Sequence, residues 1–370
     1  MTRLVALALA LCLTVSAQVP LPAQEPPRPR NVILITLDGA RHQEIFTGLD
    51  AGIVRAGLKE KETLERSALY KRYWAGSAED RREKVMPFFW GEWVKRHGSI
   101  AGNRALGSRV VVTNRHRFSY PGYAEILTGA ARPRIASNDN KRYEFPTLLD
   151  VLMRRLSLSQ TQVAAFGSWE TFNWIVSNRE DAFTINAGYE AFDSKDPEMR
   201  QLSRAQFETQ TPWDTVRNDM YTFRLALAHL RTARPRALYL ALGETDDWAH
   251  DERYDRVIQT LERTDGWFRE LWTWLQSDEQ YRDNTAILVT VDHGRGRSPK
   301  IWGRHGEHVE GADETWAAFI GPDWPRRGEW SGGPVIGANQ FAATLAKAVG
   351  IDLQQDIPEA APPIAELWTR

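Results

Sequence analysis

The feature that most constrains the fold of this chain is a series of continuous apolar runs, most of which stop at a glycine or an acid. "NVILITLDG" (Asn31 to Gly39) is the first; "RVVVTN" (Arg109 to Asn114), "TQVAAFG" (Thr161 to Gly167), "RALYLALGE" (Arg236 to Glu244) and "TAILVTVDHG" (Thr285 to Gly294) follow. Runs with no polar alternation suit strands buried on both faces of a parallel sheet. Helical patterns lie between and after them, at Thr147 to Leu156, Val216 to Arg231, Arg253 to Leu275 and Gln340 to Val349. Strands alternating with helices imply an α/β protein, a three-layer α/β/α sandwich around a mainly parallel sheet.

Ligands of such sheets bind beyond the carboxyl ends of the strands. Asp38 follows the first run, Asp246 the run Ala237 to Leu242, and Asp292 with His293 the run Ile287 to Val291. Three acids and an imidazole are therefore expected at one rim. An Asp after a strand also starts turns and caps helices, so it is the set that points to a site. "GETDDWAHDE" adds His250 four residues after Asp246, a separation that puts both side chains on one face of a helical turn. "WGRHGEH" adds His305 and His308. Imidazole and carboxylate without thiolate suit zinc, with manganese or iron as weaker candidates.

Composition narrows the function classes. The chain has 370 residues, 26% charged, and a formal net charge of -1, which gives no general attraction to nucleic acid or acidic membranes. An apolar run from Leu4 to Val15, behind Arg3 and ahead of Val15-Ser16-Ala17, fits a cleavable signal over residues 1–17 and a periplasmic or secreted protein. Residues 18–30 read as a flexible lead-in; by length 31–370 is as readily one large α/β domain as two smaller ones. The only cysteine, Cys12, falls in the signal, so the mature chain would have neither disulfides nor thiolate chemistry. The stretch Glu60 to Gly102 is dense in charge and aromatics; Trp74, Phe88, Phe89, Trp90 and Trp93 are expected mainly to pack, with an apolar pocket as the other reading.

"HRFSYPGYAEILTG" (His116 to Gly129) places Ser119 where a helix can begin. That serine either caps the helix or offers a hydroxyl at its anion-binding end. No His base adjoins it, and coordination to a divalent ion would make it a nucleophile by lowering its pKa.

The ordered set "LDG", "SYPGY", Asp-x-x-x-His, "DHG" and a late "HG" resembles the alkaline phosphatase superfamily, most of all its type I phosphodiesterase and nucleotide pyrophosphatase branch. The resemblance spans Asn31 to roughly Pro322 and implies a single catalytic domain over 31–370, with a Trp-rich insertion at about 60–102. It implies two divalent metal ions, zinc by ligand type: Asp38, Ser119, Asp292 and His293 at one, and Asp246, His250 and His305 at the other, with His308 as the alternative to His305. It implies Ser119 as nucleophile, a phosphoseryl intermediate, and a small-molecule phosphoric ester as substrate. Relatives place an Asn on the phosphoryl group, for which "IASNDNKR" offers Asn138 and Asn140; a turn is the other reading. The Ser119 and Tyr120 amides are further donors if they open a helix.

The chain also departs from its relatives. Sulfatases of this fold carry Arg four residues after the modified Cys or Ser, where this chain has Tyr123. The phosphodiesterase branch more often has Thr-Phe-Pro-Asn, where Ser119 and Gly122 differ. The expectation is thus an exported metal-dependent phosphodiesterase-like hydrolase. Monoesterase and phosphoryl transferase share the same residues; a sulfatase-like hydrolase and a non-catalytic metal-binding protein are remoter. No transmembrane span is expected in the mature chain.

Overall fold

The side chains of β1 (Asn31–Leu37) alternate between two apolar layers: Ile33, Ile35 and Leu37 join one core, Val32 and Leu34 the other. This is the period of two that a pleated strand imposes, with both faces covered. The computed structural model describes residues 30–369; the signal, Cys12 and the rest of the lead-in before Arg30 lie outside the described residues. β4 (Val163–Gly167), β6 (Ala237–Leu242) and β7 (Thr285–Thr290) divide their side chains between the same two cores. The remaining strands are β2 (Gly98–Ala101), β3 (Val110–Val111), β5 (Thr184–Ala187), β8 (Glu314–Thr315), β9 (Ala317–Ile320), β10 (Gly328–Glu329) and β11 (Ile336–Gly337).

An eight-stranded sheet runs in the order β10-β2-β9-β7-β1-β6-β4-β5. β7, β1, β6, β4 and β5 are parallel, and β9 runs against β7 and β2. Helices Asp219–Ala233 and Tyr254–Ser277 cover one face, while Ser119–Thr128, Leu148–Arg155 and Phe341–Ala348 cover the other. The expected three-layer α/β/α sandwich is the observed one. Its helices start where sequence chemistry directs: Thr147 and Asp150 form a capping box before Leu148–Arg155.

One expected strand departs. Of Arg109 to Asn114 only Val110–Val111 is β-structure, and it lies in a separate three-stranded sheet, β11-β3-β8, antiparallel to β8. The Thr113 and Asn114 amides bond instead to the Glu125 carboxylate, so the chain leaves the ladder there. The aromatic stretch contributes core: Phe89, Trp90 and Trp93 are buried, and Trp93 stacks on Phe268 at 4.7 Å. Stacking of this kind adds about 0.5–1.5 kcal/mol to the burial itself.

Candidate metal centre and nucleophile

Because β7, β1 and β6 are adjacent and parallel, their carboxyl ends bring Asp292, Asp38 and Asp246 to one rim. His293 Nε2 lies 3.4 Å from Asp38 Oδ1, 3.4 Å from Asp292 Oδ2 and 3.6 Å from Asp246 Oδ1. Its Nδ1 faces the Gly294 carbonyl at 3.0 Å, which turns Nε2 toward the carboxylates. Asp246 and His250 share one face of helix Glu244–His250, with Asp246 Oδ2 3.0 Å from His250 Nε2. His305 Nε2 lies 3.0 Å from His250 Nε2, while its Nδ1 faces the Arg117 carbonyl at 3.3 Å. Two groups follow, Asp38-Asp246-His293 and Asp246-His250-His305, each with ligand atoms within 4.8 Å of one another. His305, not His308, lies in the second.

The electrostatics of these groups suit a cation. Asp38 Oδ1, Asp292 Oδ2 and His293 Nε2 are buried and none has a hydrogen-bond partner. Buried polar atoms are rarely left so, and three converging ones fit a bound ion. Burial works against the His293 imidazolium, but Asp292 and Asp38 outweigh it and push the group up to about 9. Burial and the neighbouring Asp38 charge raise Asp292 well above the usual carboxylate range. His305 is driven far down by burial and by the positive charge of His293 and Arg295, and His250 is lowered chiefly by burial. The second group therefore offers neutral imidazoles, the form that binds metal.

Ser119 opens helix Ser119–Thr128 but does not cap it: Phe118 is the N-cap, and no side chain caps the helix there. The Ser119 amide belongs to the first turn, where N–H groups have no intrahelical acceptor. The helix start abuts the centre on two sides. Arg117, two residues before Ser119, contacts His305, and a Cβ on Gly122, three residues after, would stand 2.3 Å from the Asp292 carbonyl oxygen. An Asn at position 122 would clash with the Asp292 backbone in this structure. Arg117 holds φ 54°, an uncommon conformation for a non-glycine residue, with its amide bonded to Asn114 Oδ1 at 2.9 Å.

The structure separates the two asparagines. Asn138 Oδ1 accepts from the Tyr120 amide at 3.0 Å, so Asn138 sits at the helix start and that amide is already used. Asn140 donates to Glu170 Oε1 at 3.0 Å and accepts from Thr171 Oγ1 at 2.7 Å.

Several residues of the site carried no sequence signal. Tyr123 is fully buried in the field of Asp292 and Asp38; burial first, then those charges, raises its phenol well above the ordinary value. Asp219 accepts from the Gly243 and Glu244 amides at 2.8 and 3.1 Å and so braces the start of helix Glu244–His250. Arg295 donates to Asp246 Oδ1. The "DHGRG" motif displayed Arg295 without saying where it points.

No family model matches the chain, and no curated protein matches it. Solved structures do match. They include BT1596, described as a 2-O GAG sulfatase (14% identity, TM-score 0.55, 92% of this chain and 74% of that one). A second is the lipoteichoic acid synthase LtaP from Listeria monocytogenes (12%, TM-score 0.55, 87% and 72%). A third is described as a putative sulfatase from Bacteroides thetaiotaomicron VPI-5482 (12%, TM-score 0.54, 88% and 71%). The sheet order and these likenesses show that the chain shares the fold of these proteins.

Proposed function

We propose that the chain is a metal-dependent phosphoric ester hydrolase, phosphodiesterase-like, with Ser119 as nucleophile. The observation that carries the reading is the convergence of three buried ligand atoms that make no hydrogen bond, Asp38 Oδ1 and Asp292 Oδ2 each 3.4 Å from His293 Nε2, beside a helix that begins at Ser119. Asp246, His250 and His305 would hold one divalent ion; Asp38 and His293, with the adjacent Asp292 and with Ser119, would hold the other, and zinc fits this ligand set. When bound, the ions supply a lowered pKa for the serine hydroxyl and charge for the departing oxygen.

The residues of the chain supply the rest. The Ser119 hydroxyl loses its proton to solvent and its oxygen attacks phosphorus in line; the bond to the leaving oxygen breaks, that oxygen takes a proton from water, and a second water later cleaves the phosphoseryl ester, returning the serine hydroxyl. The free Ser119 amide and the Asn138 side-chain N–H groups are the donors for the non-bridging oxygens. Asn138, already bound to the Tyr120 amide, fits that role better than Asn140.

Four of the seven cations near the motifs are already engaged, which lowers the charge offered to a dianionic monoester, while Arg115, Lys141 and Arg304 are exposed with no ion pair among the described residues. Arg41 is bound to Glu44, Arg295 to Asp246, Arg297 to Glu310 and Glu314, and Arg117 reaches Asp313 and the Glu307 carbonyl. A dianionic monoester would draw on free guanidinium groups. A sulfate monoester carries the same single charge as a diester, so a sulfatase-like hydrolase is the second reading, in keeping with the names of the solved relatives. Tyr123 in place of the arginine of the sulfatase motif weighs against it.

Zinc-loaded wild type and Ser119→Ala are to be compared on bis(p-nitrophenyl) phosphate, p-nitrophenyl phosphate and p-nitrophenyl sulfate. Fastest diester turnover, lost in the variant, is the expected result. Fastest sulfate turnover would replace the reading with the second one, and turnover that survives Ser119→Ala would remove the nucleophile.

A further inference from the structure

Asp246 stands between the two ligand groups and turns one oxygen to each. Oδ1 is 3.6 Å from His293 Nε2, and Oδ2 is 3.0 Å from His250 Nε2. A carboxylate so placed can bridge two ions or serve one. Arg295 distinguishes these possibilities. Its Nη2 donates to Asp246 Oδ1 and, at 3.1 Å, to the Asp246 carbonyl, while Nη1 donates to the Gly303 carbonyl. The side chain is 1% exposed. At neutral pH the guanidinium is charged and has no acceptor, so it takes one lone pair of that oxygen and repels a cation approaching it.

The backbone makes room for this contact. Gly39 holds φ +57°, and a Cβ there would stand 2.4 Å from Asp246 Oδ1 and 2.7 Å from Arg295 Nε. The glycine of the "LDG" turn is thus what allows the guanidinium to reach the carboxylate.

We infer that Arg295 is a positioning residue that reserves Asp246 for the ion at His250 and His305 and keeps its carboxylate from bridging to the ion at Asp38 and His293. The inference rests on the metal-ligand assignment proposed above. A merely structural ion pair would leave the relation between the two ions unchanged when the arginine is replaced.

The test uses the full chain loaded with cobalt(II), read by electron paramagnetic resonance and by metal titration. Wild type is expected to give the full intensity of two uncoupled ions. Arg295→Met frees Oδ1 to bridge, so intensity is lost through spin coupling, and the affinity for the second equivalent shifts by about 10-fold or more, the usual scale for losing a partner of a metal ligand. Arg295→Lys, which keeps a charged donor, is expected to restore the uncoupled signal. If Arg295→Met does not fold, Arg295→Gln, neutral but still able to donate to Gly303, is read the same way. A neutral variant with wild-type intensity and affinity overturns the role of Arg295 alone. Asp246→Asn that still binds both ions overturns the ligand assignment and this inference together.

Discussion

His250 Nε2 and His305 Nε2 face each other across 3.0 Å, although 55 residues separate them in the chain. Both imidazoles are shifted toward the neutral form, His305 strongly. Two neutral imidazole nitrogens with the Asp246 carboxylate would supply three of the four ligands of a tetrahedral site. Removing His305 should therefore abolish one metal equivalent and lower kcat/KM at least about 100-fold, the upper end of what losing a mere supporting partner costs. His308→Ala should change neither. Metal analysis after dialysis, alongside kinetics, checks both statements.

Gly122 is where helix Ser119–Thr128 touches the rim that carries Asp292. A methyl group there meets the Asp292 carbonyl oxygen at 2.3 Å and its carbon at 2.9 Å, both backbone atoms of a buried strand end. Gly122→Ala should cost about 1–3 kcal/mol by overpacking. Because the displaced residue is Asp292, activity should fall by more than the loss of folded protein explains. Urea denaturation and specific activity on the refolded fraction separate the two effects.

Glu125 holds the loop that delivers Ser119. Fully buried, its carboxylate accepts from the Thr113 amide and hydroxyl, the Asn114 amide and side chain, and the Asn339 amide, at 2.8 to 3.1 Å. Glu125→Ala strands these donors, and at about 1–3 kcal/mol for each buried unsatisfied group the loss should exceed that of a typical surface change several-fold. Glu125→Gln keeps part of the network and should be milder. Thermal melts of the two variants give the order.

The metal-free protein should lose stability as pH rises. His293 titrates near 9 in the folded chain against an ordinary value of about 6.5, and Asp292 is likewise raised. Both groups bind more protons folded than unfolded. Their contribution is complete below about pH 6.5 for His293, and it is lost as pH climbs through about 9. Zinc replaces the proton, so affinity for the ion should rise over the same range. Chemical denaturation of metal-free protein across this window, repeated with zinc, tests the sign; flat or rising stability without metal would contradict it.

The parts of the site set by strand ends were legible in the sequence. Apolar runs that stop at Asp or Asp-His announce where a parallel sheet delivers side chains, and Asp246 with His250 announces a helical turn. What stayed hidden depends on contacts between distant segments. Arg295 meets Asp246 across 49 residues, and Asn339 meets Glu125 across 214. "RVVVTN" reads as a buried strand because its composition is that of one; Glu125 takes its later amides and ends the ladder early. The resemblance makes His305 the expected ligand with His308 as its alternative, and the structure brings His305 to His250.

The proposed function requires Ser119 to form a covalent bond to phosphorus. The most direct measurement is rapid quenching of the zinc-loaded protein during turnover of a phosphodiester, followed by mass spectrometry of the peptide carrying Ser119. The expected result is a mass increment on that peptide equal to the phosphoryl group with its remaining ester, absent in Ser119→Ala. Turnover of the diester by wild type with no adduct at Ser119, and undiminished in Ser119→Ala, would contradict the account.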